Sequence, residues 1–176
     1  MPHVGGFPEK LLLHISEVDA QHAELAGVLD RIAALTGQLS VPDDPAHLDD
    51  PPSLSDCVGS EQKPGCDDRI VEAVLELLDE LELLTSAHFA DEEKLMDTHD
   101  YPGLAEHRSE HMLLIGELRE FIREVRSGRE CLMQCHLVAL KGWFFGHIVL
   151  ADRAFGDFYH RPAVTADELI SRPARS

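Results

Sequence analysis

Residues 88–111 read HFADEEKLMDTHDYPGLAEHRSEH, and this stretch decides the fold. His88 and Glu92 are four residues apart, and so are His107 and His111. Each pair therefore projects from one face of a helix, with about 6 Å of rise between its members. Tyr101-Pro102-Gly103 lies between the pairs and breaks the chain into two helices.

Outward from this turn the apolar pattern is helical throughout. Upstream, Val71, Val74, Leu78, Leu81 and Leu84 recur by threes and fours from Asp68, and the stripe continues through His88, Glu92 and Leu95. Downstream, Leu104, His107, His111, Leu114, Leu118, Phe121 and Val125 keep heptad spacing to about Arg126, where Ser127-Gly128 ends the helix. An earlier helix carries Ile15, Val18, Leu25, Leu29, Ile32, Leu35 and Leu39, with His22 filling the gap in its stripe. A last helix begins near Glu130, with Leu132, Leu140, Trp143, His147, Leu150, Ala154 and Phe158 on its expected inner face. Four helices with short turns at two of three connections predict an all-α, up-down-up-down four-helix bundle.

The remaining connection, residues 41–69 between the first two helices, holds five of the ten prolines and seven aspartates, and reads as a long inserted loop. At 176 residues the chain accommodates one well-buried core. The expected organisation is a bundle domain over residues 1–160 and a polar tail over 161–176.

Fifteen basic and thirty-three acidic side chains give a formal charge of −18, which disfavours nucleic acid and anionic lipid as partners. No apolar run approaches the ~20 residues of a membrane-spanning helix, and residues 1–9 lack the pattern of a secretory signal. The expectation is a cytoplasmic protein without membrane insertion.

Ligand-type residues on core stripes require an explanation, because a buried ionised carboxylate without a partner is too costly to persist. Metal ions are the economical partners. In an up-down-up-down bundle His22, His88, Glu92, His107, His111, His147 and Asp152 all fall at one depth, near the end that contains Tyr101. His147 and Asp152 are five residues apart, about 140° round a regular helix. Asp152 must then reach sideways or the helix must deform locally, which suits a carboxylate shared between two ions. Six further histidines, His3, His14, His47, His99, His136 and His160, read as ordinary surface, loop or core residues.

The segment Asp19-Ala20-Gln21-His22, then His88-Phe89 with Glu92, Glu93 and Met96, Tyr101-Pro102 with His107 and His111, and Trp143 with His147-Ile148 and Asp152, resembles the bacterial hemerythrins. The resemblance covers nearly all of residues 7–158 except the long loop, which is much shorter in that family. It implies two non-haem irons with an oxo or hydroxo bridge. On that pattern His107, His111 and His147 hold one iron, His22 and His88 hold the other, and Glu92 and Asp152 bridge them. One coordination position then remains open, on the iron held by His22 and His88, for dioxygen. Leu25, Phe89, Trp143, Phe144 and Ile148 resemble the family's apolar oxygen pocket.

The implied function is reversible oxygen binding for storage, delivery or scavenging, with carrier chemistry favoured over catalysis. The alternatives are an oxygen or redox sensor acting through a partner protein, and a di-iron enzyme acting on nitric oxide or peroxide. No histidine has a glutamate three residues before it, so the paired Glu-x-x-His signature of the ferritin-like proteins is absent.

Cys57 and Cys66 lie in the long loop, and Cys131 and Cys135 lie one turn apart at the start of the fourth helix. The topology brings these elements to the end opposite Tyr101. Three readings stay open: a tetrahedral zinc site, a reversible thiol switch, and four ordinary cysteines.

Overall fold

A computed structural model describes residues 7–35, 68–127 and 134–161. Among the described residues there are helices and turns, and no strand. A short 3₁₀ turn, Glu9–Leu11, leads into α1, Ser16–Leu35. Helices α2, Asp68–Thr98, and α3, Leu104–Arg126, form the hairpin around Tyr101. The last element is α4, Gln134–His147, continued by a π-helical stretch, Ile148–Asp152, and by α5, Arg153–Tyr159. Helix α1 packs on α2, α2 on α3, and α4 back on α1, giving the expected bundle.

The α2–α3 turn follows from its residues. Asp100 adopts the left-handed conformation, φ 53°, which aspartate tolerates better than most side chains. This geometry lets the Tyr101 N–H donate to the Met96 carbonyl at 2.9 Å and the Asp100 N–H to that of Asp97 at 3.2 Å, closing α2 as a Schellman motif. Gly103 is required by close approach, since a Cβ there would lie 2.8 Å from the Tyr101 ring. The chain re-enters a helix at Leu104, which places His107 in the first turn of α3.

Two apolar clusters fill the interior. The larger joins Leu25, Leu29, Ile32, Leu78, Leu81, Leu118, Leu140 and Ile148. The smaller, at the Tyr101 end, joins Leu13, Ile15, Val18, Met96 and Phe155. Along α2 the order is Leu81, then His88 and Glu92, then Met96; along α1 it is Val18, His22, Leu25. The polar layer is therefore sandwiched between two apolar ones. Asp19, 8 % exposed, is spent on the fold, because its Oδ1 accepts from the Leu13 N–H at 2.7 Å and pins the segment before α1.

Several expectations change register or fall elsewhere. Helix α2 begins at Asp68, two residues inside the stretch assigned to the loop. Leu35 is 39 % exposed and so lies off the inner face of α1. Leu150 is 77 % exposed and Ala154 is also exposed, whereas Ile148 and Phe155 are buried. The π stretch is the cause: one extra residue in a wide turn shifts the inner face, so a pattern extended at regular helical spacing past His147 selects the wrong side chains. Leu39, Leu132, the loop over residues 41–67, the tail beyond residue 161, and Cys57, Cys66 and Cys131 lie outside the described residues, as does the side chain of Cys135. No helix is long and apolar enough to cross a membrane among the described residues.

The shifted register makes a direct prediction for chemical denaturation. Phe155→Ala should destabilise the bundle by about 3–5 kcal/mol, as expected for a fully buried aromatic. Leu150→Ala should stay within about 0.5 kcal/mol of the parent.

Candidate metal centre

All seven candidate ligands converge. His22, His88, Glu92, His107, His111 and Asp152 are buried, and the His147 side chain is 7 % exposed. Two groups form, with potential ligand atoms within 4.8 Å of one another in each: Glu92, His107, His111, His147 and Asp152 in one, and His22, His88 and Asp152 in the other. Asp152 belongs to both. Its Oδ1 faces His147 Nε2 at 3.0 Å and His107 Nε2 at 3.4 Å, while its Oδ2 faces His22 Nε2 at 3.2 Å. Glu92 Oε2 lies 3.1 Å from His107 Nε2 and 3.5 Å from His111 Nε2.

Five-residue spacing would leave His147 and Asp152 on different faces of an α-helix. The π stretch between them removes that mismatch, because a wider turn returns the fifth residue close to the same azimuth. The helix deforms, and the side chain does not have to strain.

The outer nitrogens fix which inner nitrogen carries a lone pair. Gln21 Nε2 donates to Asp91 Oδ2 at 2.9 Å, so the Gln21 amide is oriented with its oxygen toward His88. His88 Nδ1–H then donates to Gln21 Oε1 at 3.1 Å. In the same way His111 Nδ1–H donates to Glu93 Oε1 at 3.0 Å, and Arg108 Nε holds the other oxygen of Glu93 at 2.8 Å. Burial, reinforced by the neighbouring His22, lowers His88 from 6.5 to about 4, so it is a neutral imidazole at physiological pH. Its proton sits on Nδ1 and its Nε2 lone pair points inward, where His22 Nε2 lies only 3.2 Å away. His111 Nε2 and His147 Nε2 are closer still, 2.9 Å apart. Each such pair needs either a proton on one of its nitrogens or a cation between them.

The carboxylates make the same demand. Burial pushes the Asp152 carboxyl up, but His147 and His22 outweigh it and hold the group well below the usual carboxylate range. For Glu92, burial and Asp152 push upward, and the hydrogen bonds of His107 and His111 hold the carboxyl below its ordinary value. Burial lowers His147, yet the facing Asp152 carboxylate raises it overall. Glu92 Oε1, Asp152 Oδ1 and Oδ2, and His22 Nδ1 are buried with no hydrogen-bond partner. Two anions, the neutral His88 imidazole and orphaned buried oxygens together fit a metal site.

Leu25, Phe89, Trp143, Phe144 and Ile148 all line one small cavity, about 10 Å³, that also touches His88, His147 and Asp152. The Phe89 ring stacks on His111 with centroids 3.6 Å apart. His136, 1 % exposed, packs beside Phe121 and stands apart from both ligand groups. Sequence reading missed Thr85 and Leu114, which also line the cavity, and the supporting roles of Gln21 and Glu93. Thr85 had a signal: Leu78, Leu81, Thr85, His88 and Glu92 step by threes and fours along α2.

Comparison with known proteins agrees with this geometry. The family profile described as "Hemerythrin HHE cation binding domain" matches residues 13–158. A bacteriohemerythrin of Stenotrophomonas maltophilia (strain R551-3) is 34% identical over 85 residues, 48% of this chain and 55% of the relative. A bacteriohemerythrin of Ralstonia nicotianae (strain ATCC BAA-1114 / GMI1000) is 35% identical over 69 residues, 39% of this chain and 50% of the relative. The chain thus spans about half the length of the curated relatives it matches. No solved structure gives a significant match.

The buried neutral state of His88 can be read by NMR on the metal-free protein. Its imidazole should stay neutral until the pH falls to about 4. Because the folded value lies below the unfolded 6.5, the unfolded chain binds this proton first. The contribution of His88 to stability is therefore complete above pH 6.5 and is lost as the pH falls toward 4.

Proposed function

The chain belongs to the hemerythrin HHE cation-binding family, and on that premise we propose that it binds dioxygen reversibly at two non-haem irons. His107, His111 and His147 hold one iron, His22 and His88 hold the other, and Asp152 and Glu92 serve both. Support for the division comes from the two ligand groups that share Asp152, and from the orphaned Glu92 Oε1, which leaves one oxygen for the second ion. When bound, a ferrous pair supplies two electrons to dioxygen and recovers them on release.

The observation that carries this reading is the cavity. It is only about 10 Å³, roughly the space of a single water, so it suits a ligand of a few atoms and not an organic substrate. Its walls are mostly apolar, which keeps water and protons away and slows irreversible loss of electrons. His88 and His111 hold their outer protons on Gln21 Oε1 and Glu93 Oε1, so that neither ring turns and neither proton is offered to the cavity. Storage, delivery and scavenging all require this one property.

Repeated cycles of anaerobic reduction and oxygen admission test the proposal. The absorption band of the oxygenated form should appear, vanish on deoxygenation and return over many cycles. Immediate conversion to the oxidised protein in the first cycle would overturn reversible binding. Metal analysis checks the site separately: the parent should hold two irons, Asp152→Ala should retain fewer than one per chain, and His136→Ala should retain both.

A further inference from the structure

Thr85 stands one helical turn before His88 on α2, is 1 % exposed, and has a hydroxyl oxygen with no hydrogen-bond partner. A buried hydroxyl without a partner is destabilising, and a valine of the same shape would avoid the penalty. Helical threonines commonly satisfy themselves on the carbonyl one turn back, and here that bond is not made. Trp143 shares the anomaly. Its indole Nε1, which can only donate, is buried and also has no partner.

Both residues line the same cavity of about 10 Å³, beside His88 and Asp152 and between the apolar walls of Leu25, Phe89 and Phe144. Two residues with unpaired buried donors, from two different helices, line one cavity that is otherwise mostly apolar. The protein provides them with no acceptor, so a ligand in the cavity is the natural source of one.

We propose that Thr85 is a ligand-binding residue, whose hydroxyl, together with the Trp143 indole N–H, donates to the end of a small bound ligand turned away from the metals. The inference rests on the metal-centre reading above. The ligand class it selects is di- or triatomic and carries negative charge, or acquires it on binding, since hydrogen bonds to charged acceptors are the stronger ones. Dioxygen that has drawn electrons and the azide anion both qualify. A neutral ligand without a good acceptor atom, such as carbon monoxide, gains little.

Azide titrated onto the oxidised, iron-loaded protein is the probe, followed by visible absorption in the parent, Thr85→Val and Thr85→Ser. Thr85→Val should weaken azide binding about tenfold, and Thr85→Ser should restore the parental value. The Thr85→Val protein should keep its two irons, and its metal-free form should be at least as stable to denaturant as the parent, because an unpaired buried hydroxyl has been removed. Unchanged azide affinity in iron-loaded Thr85→Val would overturn the inference, as would an equal loss in Thr85→Ser, which marks a packing role. If Thr85→Val fails to retain iron, Trp143→Phe decides: weakened azide binding supports the donor pair, and unchanged binding overturns it. A parent protein without iron would instead overturn the metal-centre reading on which the inference stands.

Discussion

Five imidazoles and two carboxylates occupy one layer of an apolar core, and the rest of the structure depends on how that layer is neutralised. Isolated, Glu92 and Asp152 would be too costly to bury as anions, at 0 % exposure each. Hydrogen bonding inside the layer offers only partial relief, because the inner nitrogens of His22 and His88, and of His111 and His147, face each other in pairs. Cations relieve both problems together. The apolar clusters on either side then act as seals: Leu81, Leu25 and Ile148 close one side of the layer, and Met96, Val18 and Phe155 close the other.

The partners outside that layer are unequal. His111 donates to the carboxylate of Glu93, and the outer nitrogen of His147 faces the carboxylate of Glu110 at 3.7 Å. His88 donates instead to a neutral amide oxygen, that of Gln21. A carboxylate acceptor makes an imidazole a stronger electron donor to a metal than an amide does. On the proposed assignment, these acceptors would make an iron held by His107, His111 and His147 electronically richer and leave one held by His22 and His88 the better electrophile. The asymmetry runs in the direction that a single ligand-binding iron requires.

Most of the bundle was legible because its signal is periodic. The heptad from Leu104 to Val125 translated into α3 with the bounds Leu104–Arg126, and Pro102-Gly103 marked the turn that the Tyr101 ring makes obligatory. The seven candidate ligand positions, which the fold brings together, were legible for a related reason, since histidines and acids inside an apolar stripe have few cheap explanations. Legibility failed where geometry departs from the regular helix. Leu150 and Ala154 follow the α period but not the π turn, so their outward orientation could not be read from spacing alone. Thr85 was passed over because the stripe was continued from Leu81 through the apolar Leu84 beside it, whereas Thr85 is the more buried of the two. Only its buried, unpartnered hydroxyl distinguishes it, and that is a property of packing. For Gln21 and Glu93 the limit is similar: on α1 and α2 they sit beside the stripe, and their bonds depend on packing between helices, Gln21 to His88 across α1 and α2 and Glu93 to His111 across α2 and α3.

The irregular turn in the last helix links the two halves of the site. His147 ends α4, Ile148 opens the π stretch and walls the cavity, and Asp152 closes it and joins the two ligand groups. A regular α-helix would have to choose between presenting His147 inward with Asp152 and Phe155 rotated away, and presenting Asp152 and Phe155 inward with His147 rotated out. With one extra residue the wide turn lets His147 meet Asp152 at 3.0 Å while Asp152 and Phe155 stay buried. The extra volume of chain is left on the outside as Leu150. A local loss of helical regularity therefore serves the metal layer, the cavity wall and the apolar seal at once, which is why π turns persist at sites where uniform helix geometry would satisfy only one of them.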